Sequence, residues 1–75
     1  MTVIAPTTPV ERAVLWQKVD RDFWVGNQKG TFLGTIERNA AGEYIARDSV
    51  AAEVGVYRSL HDARAAVTVR SRSED

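Results

Sequence analysis

Residues 31–67 read TFLGTIERNAAGEYIARDSVAAEVGVYRSLHDARAAV, and the fold turns on how this stretch is divided. Asn39-Ala40-Ala41-Gly42 separates two runs rich in β-branched and aromatic residues, the signature of a hairpin. A four-residue loop pairs Arg38 with Glu43, Glu37 with Tyr44, Ile36 with Ile45 and Gly34 with Arg47. Ser49-Val50-Ala51-Ala52 makes a second loop, pairing Asp48 with Glu53, Arg47 with Val54, Ile45 with Val56, Tyr44 with Tyr57 and Glu43 with Arg58. Because strand side chains alternate with a period of two, this register assigns a face to every residue. It places Phe32, Ile36, Ile45, Val54 and Val56 together, and sets Glu43 between Arg38 and Arg58.

Ser59 opens a helix. Its hydroxyl is positioned to accept from the amide of Asp62, whose carboxylate suits a helix start. Leu60, Ala63 and Val67 share one stripe, and the small Ala63 and Ala66 permit close approach. A helix of about ten residues is not stable alone in water, so it must lie on the Ile/Val face of the sheet.

Outward from this stretch, residues 13–19 predict a strand. Asp20-Arg21-Asp22 turns it into Phe23-Trp24-Val25-Gly26-Asn27. Gln28-Lys29-Gly30 turns the chain again, with Gly30 supplying a left-handed conformation. The register sets Trp16 opposite Gly26 and Trp24 opposite Gly34, each indole covering bare glycine backbone. The expected fold is α+β: an antiparallel meander of four or five strands over residues 13–58, with one C-terminal helix, 59–69, packed on one face. The expected core is Trp16, Trp24, Phe32, Ile36, Ile45, Val54, Val56, Leu60 and Val67. Residues 1–9 read as a mobile N-terminal arm, 10–69 as a single small domain and 70–75 as a disordered tail. Thr8-Pro9-Val10-Glu11 fits a capping box, which allows one helical turn near residues 9–12.

Composition narrows the function. Seventy-five residues make one small domain, and no cysteine is present to brace it or to bind metal. Such a core contributes roughly 3–5 kcal/mol, so self-association is a natural supplement. Ten basic and ten acidic residues balance, which gives no global pull toward nucleic acid or membrane. The first residues lack a basic, apolar leader pattern, so a cytoplasmic location is the default expectation. Ser59, His61 and Asp62 hold the letters of a hydrolase triad. On a helix start, however, Ser59 caps and His61 points outward, so they do not form a relay. A single histidine and scattered carboxylates make no metal centre. Residues 26–31, GNQKGT, have the wrong order and the wrong following element for a phosphate loop. The sequence predicts neither catalytic residues nor a cofactor or metal; the expectation is a non-enzymatic protein.

The predicted sheet face opposite the helix carries Leu15, Val19, Phe23, Val25, Leu33, Thr35, Tyr44, Ala46 and Tyr57, with Glu37 and Asp48 at its margin. A solvated face alternates to polar residues; an apolar one marks an interface. Phe23, Val25, Leu33, Thr35, Tyr44 and Tyr57 are therefore the candidate interface residues, for self-association or for a larger protein partner. The N-terminal arm is an alternative cover.

Val54-Gly55-Val56-Tyr57-Arg58-Ser59-Leu60, leading into Asp62-Ala63-Arg64-Ala65-Ala66, resembles the third strand and helix of the AP2/integrase-type DNA-binding domains. The resemblance spans the C-terminal half of the chain, which is also similar to small uncharacterised actinobacterial and actinophage proteins. It implies a three-stranded sheet with a packed helix. It also implies DNA read by arginines and tryptophans on the face away from that helix. The expected register puts neither a basic strand residue nor a tryptophan there. Nucleic-acid binding is then an alternative resting on Lys29, Arg38 and Arg58.

Overall fold

The computed structural model describes residues 14–73. Five strands form one antiparallel sheet in the order β1-β2-β3-β4-β5: β1 Leu15–Asp20, β2 Phe23–Gln28, β3 Thr31–Arg38, β4 Tyr44–Asp48 and β5 Glu53–Tyr57. Helix α1, Leu60–Ser73, packs across β3, β4 and β5 on one face. This is the α+β meander with a C-terminal helix that the patterning predicts. The expected arm over residues 1–9 and the helical turn near 9–12 lie outside the described residues.

Local chemistry explains each reversal. Lys29 and Gly30 both have positive φ, 53° and 79°, so β2 and β3 join through a two-residue turn whose twist matches the strands. The next two loops depart from expectation. Asn39 N–H donates to the Glu43 carbonyl (2.8 Å) and Gly42 N–H to the Asn39 carbonyl (3.0 Å), closing a three-residue loop, with Gly42 at φ 83°. Arg38 consequently pairs with Tyr44, Glu37 with Ile45, Ile36 with Ala46 and Gly34 with Asp48. The expected β3–β4 register is displaced by one residue, which moves β4 to the other face relative to β3.

The β4–β5 loop is likewise one residue shorter than expected, and Arg47 pairs with Glu53. A bulge at Val54 then absorbs the difference, so Ile45–Val56 and Tyr44–Tyr57 pair as predicted. The exchange of faces therefore passes from β4 to β5.

The core beneath α1 is Trp24, Leu33, Ile36, Ala46, Ala63 and Val67, with Val14, Trp16, Tyr44, Val54, Tyr57 and Leu60 packed against it. Phe32, Ile45 and Val56, expected in this core, belong to the opposite face; Phe32 and Val56 are 41% and 46% exposed. Leu33 enters the core because β3 bulges: Phe32 faces Asn27 and Gly34 faces Gly26, leaving Leu33 as the extra residue. Trp24 lies opposite Ile36 rather than Gly34, while Trp16 does lie opposite Gly26, its indole resting against the glycine backbone. A Cβ at Gly34 would collide with the Arg47 carbonyl oxygen and crowd Val67 Cγ1 at 3.1 Å, so its bare backbone lets α1 sit close.

Ser59 Oγ accepts from Asp62 N–H at 3.0 Å, the cap predicted for the helix start. The helix runs four residues beyond Val69, the expected end. Residues 70–73, assigned to a disordered tail, are helical, and residues 74–75 lie outside the described residues.

Candidate interaction surface

The register separates the two faces of the sheet. Trp16, Trp24, Ile36, Tyr44, Ala46 and Tyr57 share the helix side, where the Trp24 and Tyr44 ring centroids are 5.7 Å apart. Tyr57 folds back over Gly55, its hydroxyl lying where a Cβ would stand. The opposite face presents Leu15 from β1, Phe23 and Val25 from β2, Phe32 from β3, Ile45 from β4 and Val56 from β5. No described element packs on this face, since α1 meets β3, β4 and β5 from the other side. Leu15 is 56% exposed, while Phe23, Val25 and Ile45 are half-buried among their neighbours.

Of the six residues expected at the interface, Phe23, Val25 and Thr35 lie on the open face. Leu33, Tyr44 and Tyr57 do not: the bulge in β3 buries Leu33, and the one-residue displacement of β4 turns both tyrosines toward α1. Phe32, Ile45 and Val56 stand in their place. The signal that could have found Ile45 and Val56 is Asn39, whose side chain favours a loop shorter than four residues; Phe32 follows instead from the β3 bulge.

The open face also carries Gln17, Asn27 and Thr35, and one ion pair. Arg47, opposite Thr35, reaches Glu37 with Nη1 to Oε1 at 3.3 Å. This corrects the expectation that no basic strand residue faces that way. Both tryptophans lie on the helix side, as the register predicts and unlike the arrangement the AP2/integrase resemblance implies. The three residues expected to contact nucleic acid do not converge. Lys29 sits in the β2–β3 turn, whereas Arg38 ends β3 about 25 Å away along an eight-residue strand and pairs with Asp22 at 3.8 Å. Arg58 follows β5 at the Arg38 end and is exposed.

The edges of the sheet differ from its open face. β1 carries a bulge at Val19 flanked by Lys18 and Asp20, and β5 carries one at Val54 beside Glu53. Bulges and charges on edge strands oppose pairing with another chain. Both edges are guarded in this way, and the open face is not.

Among the described residues no three His, Asp or Glu side chains gather as a metal site. Ser59 is occupied as a cap and His61 is exposed beside it. No helix among the described residues is long and apolar enough to cross a membrane. Comparison with protein-family models, curated proteins and solved structures finds no match to the chain.

Proposed function

We propose that the chain is a small, non-enzymatic interaction module that self-associates through the open face of its sheet. One observation carries this reading: six apolar side chains share a face with no described cover, on a sheet whose two edges are guarded. A few hundred Å² of apolar surface left in water forgoes several kcal/mol at about 25 cal/mol per Å². That is comparable to the stability of a domain this size. A second copy offers the same apolar face in return, and the Glu37–Arg47 pair is self-complementary across a twofold axis.

Sedimentation of the full chain should show a dimer. Phe32→Glu and Val56→Glu, each placing a charge within the apolar face, should raise the dissociation constant about 100-fold or more while leaving a folded monomer. Val50, 77% exposed at a loop tip away from the face, supplies the control, and Val50→Glu should not change the assembly. A wild-type monomer across the micromolar range would overturn self-association. Nucleic-acid binding takes second place because Lys29 lies far from Arg38 and Arg58. It requires duplex affinity that falls steeply with salt and with neutralisation of those three residues.

A further inference from the structure

On the helix side of the sheet, beyond the reach of α1, the β1–β2 turn and the end of β3 enclose an open concavity of about 610 Å³ with the loop after β3. Lys18, Arg21 and Arg38 line it, with Asp22 as the one acidic lining residue. The lining itself sets three cations against one carboxylate, with the Asp20 and Glu43 carboxylates bonded to lining residues at its rim. Its walls are fixed. Arg38 N–H donates to the Asp22 carbonyl at 2.9 Å, and the Lys18 ammonium rests 5.5 Å from the Trp24 ring centroid. The Arg38–Asp22 ion pair is long, at 3.8 Å, and half exposed, so an anion with better geometry can compete for the guanidinium.

We propose that this concavity binds a phosphate dianion, either free or as a monoester. Two guanidinium forks and an ammonium approaching from β1, the β1–β2 turn and β3 match the several oxygens of a tetrahedral dianion better than a planar monoanion. Lys18 lies opposite Trp24 and Arg38 opposite Tyr44, so both belong to the helix side. The site is thus independent of the open face.

Nuclear magnetic resonance titration of the full ¹⁵N-labelled chain tests the proposal, with inorganic phosphate and glycerol phosphate as probes. Chloride and acetate at equal ionic strength are the controls. Saturable shifts are expected at Arg21, Arg38 and the amides of residues 40–42. Arg21→Gln and Arg38→Gln should each weaken binding about tenfold. Asp22→Asn, which removes the competing carboxylate, should tighten it about threefold. Lys29→Gln, at the far end of the sheet, should leave it unchanged. Binding of both probes assigns recognition to the phosphate group itself, and binding of inorganic phosphate alone restricts the site to the free ion. Equal shifts with chloride, or an unchanged constant in the exposed and structurally benign Arg21→Gln, would overturn it.

Discussion

The loops at residues 39–43 and 48–52 use the same hydrogen bonds and differ in what holds them to the rest of the molecule. In each, the first residue's N–H donates to the carbonyl of the fifth, and the fourth residue's N–H donates back to the first carbonyl. In each, the first side chain's Oδ1 accepts from the amides of the third and fifth residues: Asn39 from Ala41 and Glu43, Asp48 from Val50 and Ala52. The fourth residue is left-handed in both, Gly42 at φ 83° and Ala51 at φ 68°. The difference lies in the second side-chain group. Asn39 turns its Nδ2 to Glu43 of its own loop at 3.4 Å. Asp48 is buried, 3% exposed, and turns Oδ2 to Arg70 on α1 at 3.4 Å. One loop closes on itself; the other ties the sheet to the last turns of the helix. An amide suffices for the first task, and only a carboxylate recruits a cation for the second.

The largest expected effect tests that tie. Asp48→Ala removes the acceptor of two loop amides and the buried end of the ion pair to Arg70, and should lower Tm by about 10 °C or more in thermal unfolding. Asp48→Asn keeps the loop bonds but removes the charge, making the second loop resemble the first. The Ala52 amide foremost holds the Asp48 carboxyl below its ordinary 3.8; burial opposes this, and the Val50 amide and Arg70 add to the lowering. A depressed pKa in the folded state means that the unfolded chain binds the proton more readily in acid. The stabilisation is therefore present above about pH 4 and is lost as pH falls through the lower folded value. Denaturant midpoints measured from pH 5 to pH 2 should fall less steeply for Asp48→Asn than for wild type. Parallel curves would show that the two loops are anchored alike.

Asn39→Ala removes the same two loop bonds without touching α1, and should cost about 1–2 kcal/mol in urea unfolding. A loss equal to that of Asp48→Ala would erase the distinction. The smallest pair concerns the left-handed position. Gly42→Ala should destabilise by about 1 kcal/mol, whereas Ala51→Gly should stabilise by up to about 1 kcal/mol, less the greater freedom glycine gives the unfolded chain. Opposite signs at equivalent positions would confirm that the two loops share one backbone geometry.

These loops also mark where the sequence was legible and where it was not. Strand order, the left-handed Gly30 between β2 and β3, the Ser59 cap and the placement of Trp16 over Gly26 all follow from local patterns, although Gln28, expected in the turn, belongs to β2. The β3–β4 register does not, because Asn39 at the first loop position favours the shorter connection, and alternation alone accepts either register. That single residue decides that Ala46 and Tyr44 lie beneath the helix and Ile45 lies outside. It thereby turns Tyr44 and Tyr57 away from the expected interface, as the β3 bulge does Leu33, while leaving an apolar open face. The expected β4–β5 pairs Ile45–Val56 and Tyr44–Tyr57 form because the Val54 bulge offsets the short loop. The Asp48–Arg70 tie spans two elements, and no spacing rule announces it.

The placement of α1 over β3, β4 and β5, with β1 pairing among the described strands with β2 alone, grades the molecule into unequal cooperative units. Amides of β4, between two strands and under the helix, open to solvent only when the whole domain does. Those of β1 can open by release of one outer strand. Hydrogen–deuterium exchange should therefore be slowest in β3 and β4 and fastest among the strands in β1, so that the N-terminal strand can leave and return while the remaining sheet and its helix stay folded.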